Sequence, residues 1–347
     1  MSNSRAQLQQ MLDALVANGS PAALAEFRDE RGVWNGASGV AELNSARPVD
    51  PHGWFRLGSV TKTFTAIVVL QLACEGRLSL ADTIERWLPG VVSGGGRITL
   101  HHLLAHTSGL HDYTHDLTPA GVVRDRYKQW DPWEIVIPAV KQEPEFDPGT
   151  AWAYCNTNYI LLGLVIEKAS GFTYEEMVSQ RILRPLDLSH TLLPTDAEAL
   201  PEPHAHGYLD VDGQLVDIST INASQAGAAG GMASTARDIN HFFGTLLTGG
   251  LLGQSESEIM RTTIPMASPG VGSGLSLARV DLPNGITVWG KTGGAFGYHM
   301  LSFHTADATR QLTVSMTMTA SVRPATHQLL ASVANVFEPP GWSTWSR

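Results

Sequence analysis

Ser59 and Lys62 stand three residues apart in Ser59-Val60-Thr61-Lys62, at the head of an apolar run. At that spacing on a helix the two side chains share one face, beside the first-turn N–H groups and the positive end of the helix dipole. A serine hydroxyl becomes nucleophilic when a base removes its proton. Lysine can be that base once burial and a neighbouring cation lower its pKa from about 10.4 toward neutrality. The pattern S-x-x-K turns up by chance about once in a few hundred residues, so its setting matters. Phe64, Ile67, Val68, Val69, Leu70 and Leu72 make the following helix apolar nearly all round, which places it inside a domain rather than on a surface.

Two further segments carry groups that could join this chemistry. Lys291-Thr292-Gly293 follows an expected strand, and Gly293, Gly294 and Gly297 leave backbone uncovered, as a strand must if a substrate is to lie along it. Tyr154-Cys155-Asn156 comes just after Pro148-Gly149 and before a helix. A tyrosine held between two lysines would have its phenol pKa pulled down and could shuttle a proton. Only five lysines occur, at 62, 128, 141, 168 and 291, and two of them fall in these segments.

S-x-x-K, then Y-x-N about 95 residues later, then K-T-G toward the C-terminal end is a conjunction that resembles the penicillin-recognising serine enzymes. The likeness is to the branch with class C β-lactamases, D-alanyl-D-alanine carboxypeptidases and related esterases, and most of all to actinobacterial D-alanyl-D-alanine carboxypeptidases. It extends to Phe55–Lys62, Leu103–Leu110, Ile182–Leu186 and Gly230–Asp238, and covers about residues 5 to 340.

The resemblance implies a fold and a set of roles. The fold would be α/β, a β-lactamase-like antiparallel sheet flanked by helices, built from residues 1–80 with 230–347, and an inserted all-helical region over 81–229. Ser59 would attack a carbonyl and become acylated, with Lys62 and Tyr154 exchanging its proton. The N–H groups of Ser59 and Gly294 would form an oxyanion hole, each donor worth roughly 3 kcal/mol. Asn156 would hold a substrate amide, while Lys291 and Thr292 would set the field near Tyr154 and contact a substrate anion. Three departures stand out. Cys155 replaces the usual Ser or Ala, which a small buried thiol tolerates. Lys291 replaces the histidine of the carboxypeptidases. Their carboxylate-clamping Arg and Thr read here as Ala278 and Gly294, with Arg279 expected on the other face of its strand.

The elements that must position these groups are legible. A first helix covers Met1 to about Asn18, and a hairpin turns at Asp29-Glu30-Arg31-Gly32 between Leu24 and Val40. The serine helix runs Ser59 to Glu75 and ends at Gly76. Residues 80–230 read as helical and loop-rich. Thr99 caps a helix through His106 that stops near Gly109, Tyr159–Ala169 closes at Gly171, and Thr173 with Glu176 boxes a helix to Arg184. Strands return at Leu275–Val280 and Ile286–Gly290 around Asn284-Gly285, then at Gly297–His304 and Leu312–Thr319, and a helix closes the fold over Pro324–Phe337.

Composition narrows the function. A net charge of −10 opposes nucleic-acid binding, which needs clustered positive charge. Cys74 and Cys155 form neither a disulfide framework nor a zinc spacing. The histidines at 101, 102, 106, 111, 115, 204 and 206 lack the carboxylate of H-E-x-x-H, so no metal or cofactor is expected. His106 should bond within its own turn, His299 either lines the pocket or alternates outward, and Trp152 and Tyr113 flank the acyl site or pack. No apolar stretch spans a bilayer and no signal peptide is visible. As written the chain reads as cytoplasmic, or as secreted with its signal removed.

The expected partner is a small peptide, amide, ester or β-lactam whose acyl group is D-configured or lactam-like. A cytoplasmic esterase or an acyl transferase that releases or cyclises a peptide is the alternative. A penicillin-binding sensor without turnover is disfavoured by three intact motifs.

Overall fold

A computed structural model describes residues 3–194, 199–318 and 326–337. The chain opens with α1 (Asn3–Ala17), which turns Leu8, Met11, Leu12 and Leu15 inward. A tight hairpin follows, β1 (Ala22–Asp29) and β2 (Gly32–Gly39), joined by Glu30 and Arg31. Five strands near the C-terminus complete the main sheet together with a short edge strand. They are β3 (Ile264–Pro265), β4 (Val271–Ser273), β5 (Ala278–Asp281), β6 (Thr287–Ala295), β7 (Tyr298–Thr305) and β8 (Gln311–Thr317). The order is β2-β1-β8-β7-β6-β5-β4-β3, antiparallel throughout. The sheet is thus built from both ends of the chain.

Its two faces bury different things. Phe27, Leu301, Phe303, Leu312, Val314 and Met316 meet α1 and the C-terminal segment, where Phe27 and Phe337 pack edge to face at 6.4 Å. The other face carries the helices. The serine helix α2 (Thr61–Cys74) lies at their centre, buried on all sides, and Phe64 stacks on Phe242 with ring centroids 3.8 Å apart. One continuous apolar cluster runs from this face into the helices of the middle of the chain.

The polar side of β8 does not face water. Thr313 and Ser315 lie under α6 (Ala236–Leu247), where Thr313 donates to Asn240 Oδ1 at 2.7 Å and shares a bond with Ser302. His304, beside them, is fully buried, bonded to Ser302 at 2.8 Å and stacked on Phe243. Burial and Arg28 push its pKa down to about 3. Between pH 6.5 and 3 the unfolded chain therefore binds a proton that the native state does not, and stability falls as the pH drops through that window. Denaturant titrations from pH 7 to 4 should show about 1.4 kcal/mol lost per pH unit per such histidine, and His304→Gln should flatten the slope.

Between β2 and β3 the chain is helical and loop-rich, as its composition suggests, with α3 (Leu100–Leu104), α4 (Pro132–Ala139) and α5 (Thr157–Ser170). The region is not wholly helical, because Tyr208–Val211 and Gln214–Asp217 form a two-stranded hairpin. Three boundaries differ from expectation. The Thr99-capped helix stops at Leu104, because His106 takes φ +60. Ser276 at φ +59 breaks the expected Leu275 strand, so β5 begins at Ala278. The closing helix is seen as Thr326–Ser332 and a final turn at Ala334–Phe337, with Thr319 and 324–325 outside the described residues. No helix among the described residues is long and apolar enough to cross a membrane.

Candidate active site

Ser59 sits in a tight turn, Gly58–Val60, that feeds directly into α2. Gly58 has φ +50, and a Cβ there would come within 2.6 Å of the Gly294 nitrogen. A Cβ on Gly293 would fall 1.8 Å from the Leu57 carbonyl oxygen. Two glycines thus let the serine turn lie flat on the backbone of β6. That contact explains Gly293, whose spacing alone suggested only an uncovered strand. Gly297, at φ +81, serves the turn between β6 and β7.

The pairing of β5 with β6 ends at Ala278 opposite Gly290. From Lys291 to Ala295 one edge of β6 has no strand beside it among the described residues, and the serine turn lies against it. An acyl chain laid along that edge would extend the sheet. Lys291 faces Ser302 across the β6–β7 pair, and Gly293 faces Met300. Side chains alternate along a strand, so Thr292, opposite Leu301, and His299, opposite Gly294, belong to the other face. His299 is half-buried, with Cδ2 3.5 Å from where a Gly294 Cβ would stand.

Lys62 is fully buried in the first turn of α2. Its Nζ lies 3.3 Å from Ser59 Oγ, 2.7 Å from Asn156 Oδ1 and 2.6 Å from the Ala229 carbonyl. Burial lowers its pKa well below the usual lysine value, and Lys291 adds to the effect, while Asp112 and Cys155 oppose it. Lys291 is also buried, and loss of hydration brings it down to about 8. Above that pH it sheds the charge that would hold a substrate anion. KM for a carboxylate-bearing substrate should rise as the pH passes about 8, KM for a neutral ester should not, and Lys291→Met should erase the difference.

Tyr154 lies between the two amines, which sit 5.1 and 5.5 Å from its ring centroid. They face the ring rather than the hydroxyl. Burial then dominates and pushes the phenol pKa up, with Ser59 only partly opposing. This reverses the lowered phenol pKa expected from two flanking lysines. The hydroxyl is buried and close to Ser59, yet meets no partner in hydrogen-bonding geometry.

Asn156 is occupied at both ends. Its Oδ1 accepts from Lys62, and its Nδ2 donates to Asp112 at 2.8 Å and to Thr114 at 3.3 Å. Asp112 is 3% exposed, a buried carboxylate that reaches Lys62 through one amide. The sequence reading missed it, and gave His106 only a bond within its own turn. The His106 ring stacks on Tyr154 at 4.3 Å, and its Nδ1 accepts the Cys155 N–H at 3.1 Å. It therefore bonds across 49 residues instead of within its own turn. Burial and the two lysines hold it neutral, well below the ordinary histidine pKa.

The remaining candidates lie around these groups. Trp152 packs beside His106 and Tyr154, and the Tyr113 hydroxyl donates to the Gln225 carbonyl at 2.8 Å. Cys155 is buried, its thiol pushed up to about 12 by burial and Asp112. Arg279 pairs with Asp281 at 2.9 Å, so it is engaged on its own side of β5.

Comparison with known proteins fits this arrangement. The chain is 40% identical to a D-stereospecific amidohydrolase from a Streptomyces species, with a TM-score of 0.87 over 94% of this chain and 98% of that one. It is 25% identical to the D-amino acid amidase of Ochrobactrum anthropi SV3, TM-score 0.84, over 96% and 98% of the two chains. Among curated relatives, penicillin-binding protein 4* of Bacillus subtilis is 34% identical over 167 residues, 46% of this chain and 35% of that protein. Esterase EstB of Burkholderia gladioli is 33% identical over 169 residues, 45% and 42% of the two chains. These curated matches thus span less than half of either relative's length. Residues 8–334 match the family described as Beta-lactamase, and the chain belongs to that family of penicillin-binding proteins, esterases and amidases.

Proposed function

We propose that the protein is a serine acyl hydrolase that cleaves amides of D-configured amino acids or short peptides through an acyl-enzyme on Ser59. The observation that carries the reading is a buried lysine, favoured neutral, with its amine 3.3 Å from Ser59 Oγ. As a neutral amine Lys62 donates its two N–H groups to Ala229 and Asn156, which leaves its lone pair for the Ser59 proton. Oγ then bonds the carbonyl carbon, and the oxyanion meets the N–H groups of Ser59 and Gly294. The proton then passes from Lys62, which lies 3.3 Å from Ser59 Oγ, to the departing amine. Water repeats the sequence on the ester and releases the acid.

Two considerations favour an amide over a free C-terminal peptide. The positions that would clamp a terminal carboxylate are Ala278 and Gly294, and Arg279 is paired elsewhere. The relative that matches nearly the full length at 40% identity is a D-stereospecific amidohydrolase. Lys291 and Thr292, on the open edge of β6, are the groups assigned to a substrate anion.

The test is hydrolysis of paired D- and L-amino acid amides and esters, with intact mass after a fluorescent penicillin, on wild type and Ser59→Ala. Turnover confined to D-amides, with an adduct on wild type only, is the expected result. Equal activity of Ser59→Ala would overturn the acyl-enzyme. Ester hydrolysis without amide hydrolysis would replace the amidase reading by an esterase one.

A further inference from the structure

Outside the catalytic groups, the structure gathers three metal-type side chains that sequence spacing does not connect. His111 and His115 are four residues apart with their rings edge to face at 5.6 Å, and Glu145 comes from a segment thirty residues on, held in place by its N–H bond to the Gly109 carbonyl at 2.8 Å. One ligand atom from each lies within 4.8 Å of the other two. Asp116 stands outside this group and is hydrogen-bonded to His111 Nε2 at 3.1 Å. We propose that His111, His115 and Glu145 form a binding site for a divalent transition ion of the zinc class at the rim of the catalytic centre.

The donor set suits such an ion. Two imidazoles and one carboxylate are a common zinc environment that leaves a fourth position for water or for a further carboxylate. Calcium or magnesium would ask for more oxygen donors. The site is accessible, since His115 and Glu145 are exposed and His111 is partly so.

The backbone that presents it is fixed. The His111 carbonyl accepts from Thr157 Oγ1 at 2.7 Å and from Cys155 Sγ, and the Tyr113 N–H donates back to Thr157 Oγ1 at 3.0 Å. Asp112 caps the turn that carries His115 by accepting the Thr114 N–H at 3.0 Å. Little ordering of the main chain is therefore needed when the ion arrives. The same turn supplies Asp112 and Thr114 to Asn156, so the site is built on the segment that holds Lys62 in place. The isolated sequence hid this, because its histidine spacing lacks the H-E-x-x-H carboxylate and Glu145 is remote in the chain.

The experiment is calorimetric titration of the apo protein with zinc chloride, together with the visible absorption of cobalt(II). Wild type, Ser59→Ala, and a His115→Ala/Glu145→Gln double variant are compared. Wild type and Ser59→Ala should bind one equivalent with micromolar affinity, and the cobalt complex should show the intense absorption of a four-coordinate site. The double variant should lose at least tenfold in affinity and that absorption, while its circular dichroism and thermal midpoint stay at wild-type values. Undiminished binding by the double variant would place the ion elsewhere, for example on the stacked pair His204 and His206, and overturn the proposal. So would absence of binding to the wild type at millimolar zinc. Because Ser59→Ala is inert in acylation, its metal binding is read independently of whether the hydrolase reading stands.

Discussion

Lys62→Met should lower kcat/KM for acylation by about 10⁴-fold, the upper range for loss of a positioned general base, while the protein stays folded. Methionine matches the length and apolar stem of lysine, so the buried slot between Ser59, Asn156 and Ala229 remains filled. Stopped-flow acylation by a chromogenic amide or a penicillin measures the loss, and an effect below tenfold would remove Lys62 from proton transfer. Asp112→Asn separates charge from shape. Asp112 raises the Lys62 pKa against the larger effect of burial, so its neutral isostere should carry the acid limb of the kcat/KM profile to lower pH. An unmoved limb would leave Asp112 a packing residue.

Gly293→Ala should be nearly as damaging by a different route. Its Cβ would need the space held by the Leu57 carbonyl, 1.8 Å away, and no flexible side chain is there to yield. The serine turn must retreat from β6, which carries the Ser59 and Gly294 N–H groups apart. A displacement on the order of 1 Å at reacting atoms costs about 100-fold in rate, and the overpacking itself about 1–3 kcal/mol. Acylation kinetics and a denaturant midpoint measure the two effects. Gly294→Ala is the control, because its Cβ would make only ordinary contacts, with His299 Cδ2 at 3.5 Å and the Tyr298 carbonyl oxygen at 3.8 Å. If the two variants behave alike, close approach of turn and strand is not what Gly293 supplies.

These variants mark where sequence reading succeeds and where it stops. Ser59 and Lys62 were legible because one helix holds both, and helical spacing fixes their face. The hairpins were legible because turn chemistry is local, as at Asn284 and Gly285, where Gly285 takes φ +83. Tyr154 and Lys291 came from motif order and resemblance, which brought them near Ser59 but not into geometry. The direction of the Tyr154 shift was lost there. It depends on amines facing the ring rather than the hydroxyl, and on burial that no spacing reports. Asp112 was missed, and His106 was given a local bond instead, because their partners lie 44 and 49 residues away. Each is held by a turn that changes the meaning of its neighbours, Asp112 by capping Thr114 and His106 by its left-handed backbone.

The placement of β1 between β2 and β8 bears on how the chain acquires its activity. Ser20 donates to the Thr317 carbonyl 297 residues further on, and β1 pairs with β8 along six residue pairs. During synthesis Ser59, Lys62 and Tyr154 all leave the ribosome before β6, β7 and β8 exist. Until then the β1–β2 hairpin keeps a bare hydrogen-bonding edge, and the apolar helix α2 has no sheet to cover it. Long-range pairing of this kind slows folding and lengthens exposure to aggregation. β6, against which the serine turn lies, is also among the last elements to arrive, so a nascent or C-terminally shortened chain holds Ser59 and Lys62 without the strand that the turn packs on.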